Sequence, residues 1–324
     1  HPQPGFRYPL WSRGLGDVYK RQILATILFA LSAVSGKRLS HHLTAVEANV
    51  ARFFIAAVFL GIYSHVFGAG LGGGALGMFF ISGIVGFGLG DYGLFKAYRI
   101  IGSRLAMVMT QCLAAPFAAT VEWLWLGEAL TAGQVLAGIG ILIGVGLALA
   151  PGDTGQIDKA HWKVGIFWGL ISAIGQGGGA VLSRKAGSLV AEGVTVDGLS
   201  AAYQRVLGGL AVMLLVFTWQ RMVSAKRIGV NLRAGVVPAK VKWIILLLLA
   251  NALCGPTLGV GAYQWALNVD NLPSGIVLSV VALAPLVIIP FSMKFEGERP
   301  TVRSLIGSVV AVAGVILMTN LVEK

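Results

Sequence analysis

Apolar runs of about 20 residues recur along nearly the whole chain, and nothing else in the sequence constrains the fold as strongly. Wound as a helix, a run of that length crosses a hydrocarbon core of roughly 30 Å. The runs fall at 23–40, 48–67, 76–97, 105–126, 134–149, 164–182, 199–219, 243–267, 276–293 and 304–321. They are apolar on every face, which excludes a membrane barrel built from strands of alternating polarity. Composition agrees. Charged residues make up 12% of the chain, where a soluble domain carries about 25%. The 45 glycines suit helices that associate in lipid by close van der Waals approach; in water they would argue against long helices.

The runs are not independent of one another. Ala115-Pro116 in the fourth is matched by Ala284-Pro285 in the ninth, and Gly86 and Gly90 in the third by Gly255 and Gly259 in the eighth, all at an offset of 169 residues. A polar turn with Gly-Glu and Thr follows each middle run: Gly127-Glu128-Ala129-Leu130-Thr131 and Gly297-Glu298-Arg299-Pro300-Thr301. A period this long indicates a duplicated membrane half rather than a solenoid. The expected fold is therefore an all-α integral membrane protein with ten transmembrane helices arranged as two five-helix repeats. An odd number of crossings per half inserts the two halves in opposite orientation, as inverted repeats. The expected divisions are a non-native or disordered tail at 1–22, repeats at 23–151 and 163–321, and a linker at 152–162. The Pro-Gly-Asp-Thr-Gly run at 151–155 marks that linker.

The net charge of +12 reads as basic loops obeying the positive-inside rule. No basic cluster is interleaved with aromatics as a nucleic-acid groove requires, so no nucleic-acid partner is expected. Cys112 and Cys254 lie inside apolar runs and read as small packing residues. Neither a metal site nor a cofactor is expected. There is no Gly-x4-Gly-Lys-Ser/Thr loop, no His-Glu-x2-His and no Gly-x-Ser-x-Gly, so neither ATP-driven nor common hydrolytic chemistry has its signature.

The ordered landmarks resemble the drug/metabolite transporter superfamily, EamA type. In the first half they are Arg52, Gly86-Phe87-Gly88-Leu89-Gly90, Phe95-Lys96-Ala97, Ala115-Pro116, Gly127-Glu128, then Gly138 and Gly144. In the second they are Arg205, Gly255 and Gly259, Trp265-Ala266, Ala284-Pro285, Gly297-Glu298, then Gly307 and Gly314. The resemblance covers about residues 23–321. It implies a ten-helix carrier of small metabolites, generally an exporter or exchanger, with both termini in the cytoplasm. The Lys/Arg distribution points the other way, placing both termini outside. Asp91 and Lys96 depart from the family pattern, which has apolar or aromatic residues there.

Charge within a span costs at least about 2.5–3.5 kcal/mol on insertion scales and needs a reason. Asp91 and Lys96 lack charged counterparts in the second half, where Val260 and Trp265 stand, so the scaffold does not demand them. They read as substrate or coupling residues, against a plain reading of snorkelling at a span end. Gln111, Gln176, Asn251, Tyr263, Gln264 and Trp265 offer polar groups against apolar walls. Pro116 and Pro285 interrupt matching helices and free carbonyls at mid-membrane. Arg52 and Arg205 recur in both halves, as do Glu128 and Glu298; all four read as structural or capping residues. The expected function is secondary-active transport of a small polar solute such as an amino acid, a sugar or a drug-like molecule, by alternating access. The partners would be a proton or ion, the lipid bilayer and, in a homodimer, a second copy. The setting would be the bacterial inner membrane. The competing readings are an intramembrane enzyme acting on a lipid-linked substrate, and a non-transporting scaffold.

Overall fold

The computed structural model describes residues 10–127, 131–149, 159–191, 194–227, 238–267, 281–297 and 299–320. Every regular element among them is helical. In chain order they are α1 (Leu10–Leu39), α2 (Ala45–Phe67), α3 (Leu76–Gly83), α4 (Tyr92–Met107), α5 (Leu113–Leu126), α6 (Ala132–Leu149), α7 (Lys159–Gly187), α8 (Gly198–Arg227), α9 (Pro238–Ala252), α10 (Leu258–Leu267), α11 (Ala284–Glu296) and α12 (Val302–Asn320). Three wider π turns join neighbours without a break, at Ile84–Asp91, Val108–Cys112 and Leu253–Thr257.

Among the described residues, seven helical stretches are long and apolar enough to cross a membrane. Large apolar side chains such as Phe54, Ile62, Leu124, Leu136, Leu215 and Trp219 face outward. Outward-facing apolar groups fit a protein solvated by lipid, where backbone polarity must be satisfied within helices.

One of the seven stretches, Leu76–Trp125, is 50 residues long. A straight helix of that length would run about 75 Å, more than twice the hydrocarbon core. The chain turns back instead at Gly102, whose φ of 80° and ψ of 169° lie outside the helical region. Glycine adopts this conformation without the Cβ clash other residues meet. The contacts of α7 show the reversal. Gly165 faces Ile100 and Ile101, Gly175 faces Gly90, and Gly179 faces Gly86, so the limb before Gly102 runs antiparallel to α7. Gly169 faces Met109, and Gly177 faces Ala114 and Ala118, so the limb after it runs parallel. Elsewhere α2 packs on α8, α6 on α12, and α1 on α9, α10 and α11.

The structure bears on three expectations. First, α1 begins at Leu10, inside the stretch expected to be a non-native or disordered tail, although its apolar part starts at Gln22. Once the packed span is helical, each added residue gains a backbone hydrogen bond without a new nucleation cost. Second, the break expected at Pro285 falls just before it: Val281 is helical, residues 282–283 form a turn, and α11 starts at Ala284 with Pro285 in its first turn, where a missing N–H is tolerated. Pro116 does lie inside α5, just after the π turn at Val108–Cys112. Third, Arg52 and Arg205, expected as structural or capping residues, both reach the cavity described below.

The helix ends are set by local chemistry. Gly127 and Gly297 close α5 and α11 with left-handed φ of 74° and 68°, the usual C-terminal glycine stop. Glu128 and Glu298 lie outside the described residues. The described part of each turn caps the next helix through threonine: Gln134 N–H donates to Thr131 Oγ1 (3.2 Å) and Ser304 N–H to Thr301 Oγ1 (3.2 Å). Thr131 N–H in turn donates to Gln134 Oε1 at 2.8 Å, completing a reciprocal box. Thr131→Ala is therefore expected to cost about 1 kcal/mol. In detergent its melting temperature should fall by on the order of 2 °C.

Candidate functional site

Charge is rare in this chain, and most of its deeply buried charge collects in one place. Arg52 comes from the early part of α2, Arg205 from the early part of α8, and Asp91 closes the π turn Ile84–Asp91. All three are 4% exposed. The π turn carries Gly86, Gly88 and Gly90. A Cβ at Gly90 would come within 3.2 Å of α7 backbone, and one at Gly86 would press Arg205 Nη2 at 3.1 Å. These glycines let α7 and α8 approach closely enough to place their polar side chains beside Asp91.

Asp91 Oδ2 is ion-paired with Arg52 Nη2, and Asp91 Oδ1 accepts from Gln176 Nε2 at 2.8 Å. Arg52 Nη1 donates to Asn251 Oδ1 at 2.9 Å. Asn251 Nδ2 donates to Ser32 O at 2.6 Å and reaches the hydroxyls of Ser32 and Ser35 at 3.2 Å. The Arg52 guanidinium also lies over the rings of Phe53 and Phe95, 4.8 and 4.9 Å from their centroids, a favourable placement for a desolvated cation. A buried ion pair is tolerated when its remaining donors and acceptors are largely met; of this pair's buried polar atoms only Arg52 Nε lacks a partner. Here four elements, α1, α2, α7 and α9, hold the network to Asp91.

Arg205 differs. Its guanidinium lies 5.1 Å from the centroid of Phe87, and among the described residues it forms no ion pair; its Nε, like that of Arg52, is buried without a hydrogen-bond partner. It borders a cavity of about 190 Å³ that Arg52, Asp91, Gln111, Gln176 and Tyr263 also line. At roughly 15 Å³ per water-sized site, that volume holds about a dozen waters or one small solute. The rest of the wall is largely apolar, including Phe29, Phe87, Val260 and Met318. At one end it reaches the ion pair between Glu122 and Arg184, where Arg184 is exposed.

The structure thus brings Asp91, Gln111, Gln176 and Tyr263 to one cavity and leaves six other expected residues off its wall. Lys96 lies 5.5 and 5.9 Å from the Tyr92 and Trp168 ring centroids. Asn251 stands behind Arg52. Gln264 Nε2 donates to Ser183 Oγ at 2.7 Å. Trp265, Pro116 and Pro285 pack elsewhere. Arg52 and Arg205, read from sequence as structural, are the cations of the cavity. Their recurrence in both halves obscured this; the signal available was their position inside otherwise apolar spans.

The fold and cavity define a helical membrane protein that encloses polar groups within lipid-facing walls. A model of the EamA-like transporter family matches residues 22–150 and again residues 163–320. The chain belongs to that family, as an EamA-type member of the drug/metabolite transporter superfamily. No curated protein matches it. A solved structure described only as a crystal structure of a protein is 17% identical, with a TM-score of 0.60 over 94% of this chain and 98% of that one. That likeness speaks to the fold alone.

Proposed function

We propose that the protein is a secondary-active carrier that moves a small polar solute across a bacterial inner membrane by alternating access, its repeats at 23–151 and 163–321 related as an inverted pair. The observation that carries this reading is a crosswise meeting of matched residues. Arg205 of the second half sits against Gly86 of the first, and Arg52 of the first half sits against Gly255 of the second, 3.7 Å from where its Cβ would stand. Helix packing follows the same exchange. Gly179 and Gly175 of α7 face Gly86 and Gly90, while Ser32 and Phe29 of α1 face Gly255 and Gly259. Such a pattern is what a two-fold relation between halves produces, with the solute site on the axis. Counting the limbs on either side of Gly102 separately, together with α11 and α12, gives ten segments.

Two bridges between the halves supply gates. Near Gly102, Ser103 Oγ donates to Glu296 Oε1 at 2.5 Å and Ser103 N–H to Glu296 Oε2 at 3.4 Å. Glu122 pairs with Arg184 nineteen residues further along the same limb. Nineteen helical residues span roughly 28 Å, about the depth of the hydrocarbon core, so the bridges lie at opposite faces. Alternating access requires each to open in turn, driven by a proton or ion gradient or by exchange of solutes.

Cross-linking tests this. In a Cys112→Ala/Cys254→Ala background, a thiol cross-link is introduced at Glu122→Cys/Arg184→Cys or at Ser103→Cys/Glu296→Cys. Each lock alone is expected to bring solute flux in proteoliposomes to background, with recovery on reduction. Flux that survives either lock rules out alternating access, and turnover of a lipid-linked compound without flux would favour an enzyme.

A further inference from the structure

The cavity holds two buried cations and one buried anion. Arg52 and Asp91 neutralise each other. Glu122 and Arg184 do the same at the cavity's end. Arg205 alone is left: 4% exposed, on the cavity wall, without an ion pair among the described residues, its neighbours an aromatic face and a glycine. A desolvated charge without a partner is strongly unfavourable unless something in the site compensates it. Asp91 lies near enough to be felt electrostatically, but its two oxygens are engaged by Arg52 and Gln176.

We propose that Arg205 is the anchor for the anionic head of the transported solute, and that the solute is a small organic anion, a carboxylate or a phosphate, with an apolar body. This rests on the carrier reading of the cavity. A guanidinium presents a planar fork of donors that matches a carboxylate or phosphate edge, and here the fork is free. Gly86 matters to this arrangement, because any side chain there would crowd Nη2. Tyr263, on the same wall and an electrostatic neighbour of Arg205, supplies a phenolic donor for a second oxygen. Phe87, Val260, Val281 and Met318 provide the apolar surface for the body. The fixed charge also accounts for selection: a cation or a neutral amide entering the cavity leaves Arg205 uncompensated, so discrimination comes from the unmet guanidinium as much as from contacts made.

The test uses the purified full chain in detergent and four probes of similar shape: phenylacetate, phenyl phosphate, phenylacetamide and phenethylamine. Phenylacetate or phenyl phosphate is expected to raise the melting temperature in a saturable way, and the one that does so at lower concentration tells carboxylate from phosphate. The amide and the amine are expected to leave it unchanged. Arg205→Met should bind the anion about 10- to 100-fold more weakly while melting no lower than wild type, because it removes an unpaired buried charge. Arg205→Lys, which keeps the charge but not the fork, should fall between them. Equal stabilisation by amide and anion, or an Arg205→Met protein that binds the anion as wild type does, would overturn the inference. So would an Arg205→Met protein that unfolds without ligand, since Arg205 would then be structural. Flux in proteoliposomes separates this from the carrier reading. Anion binding without flux would sink the carrier and leave the site; flux of the amine or amide without anion preference would sink the site and leave the carrier.

Discussion

Asp91→Ala should lower the stability of the protein by about 3–5 kcal/mol, the range found when one partner of a buried ion pair is removed. The size of the effect follows from what is left behind. Arg52 and Asp91 have side chains only 5% and 6% exposed, so the surviving charge is screened far less than at an open surface. Without Asp91, Arg52 and Arg205 become two buried cations facing one cavity, and Gln176 loses the acceptor it holds at 2.8 Å. Arg52→Met alone should also destabilise, by stranding the carboxylate. The double variant Arg52→Met/Asp91→Ala should be more stable than Asp91→Ala, because it leaves no unpaired charge at this position. Equilibrium unfolding in mixed micelles, run as a double-mutant cycle, reads the coupling directly. Purely additive losses would mean that the pair is not a unit and that the cavity is not neutralised in the way described.

Much of this site was readable before any coordinates, and the part that was not has a physical cause. Apolar runs and recurring landmarks are local properties of a sequence, so the helical membrane fold, the matched halves and the charge of Asp91 within a span were all visible. What a sequence does not carry is which side chains from distant spans meet. Arg52 and Asp91 lie 39 residues apart, and Arg52 and Asn251 lie 199 apart. Their pairing depends on helix rotation that apolar-all-round spans do not encode, because no amphipathic stripe fixes which face looks inward. Asp91 and Lys96 looked alike from sequence, yet the π turn ends at Asp91 and turns it to the cavity, while Lys96 faces aromatic rings. Pro285 shows the same limit. Proline in an apolar run reads as an interruption, but only the helix boundary, here the turn at 282–283 before Ala284, fixes where the break falls and lets the ring sit in a first turn.

Gly144→Val and Gly307→Val should each remove most of the folded, monodisperse protein. Helices α6 and α12 pack glycine directly against backbone: a Cβ on Gly144 would lie 2.3 Å from Ala311 N, and one on Gly307 2.3 Å from Ala148 N. Those atoms are backbone, so no rotamer change relieves the clash and the helices must separate. Between lipid-facing helices there is no hydrophobic drive to hold them together; association rests on close van der Waals contact, which is lost steeply with distance. Overpacking of this kind costs typically 1–3 kcal/mol even where side chains can adjust, and here they cannot. Helix α6 supplies its own control. Gly138, Gly140 and Gly146 have nothing within 4 Å of a built Cβ, so alanine at any of them should be neutral or stabilising by up to about 1 kcal/mol from helix propensity alone. Size-exclusion profiles and melting temperatures of the five variants compare the two classes, four of them on α6 and Gly307→Val on α12. If Gly140→Ala proves as damaging as Gly144→Val, glycine is needed along α6 for flexibility and not for contact. The contrast also bears on transport. The two helices come one from each half, and Val315 and Met318 on α12 line the cavity, so under the carrier reading proposed above flux of the Gly144→Val and Gly307→Val proteins should fall with their folded fraction.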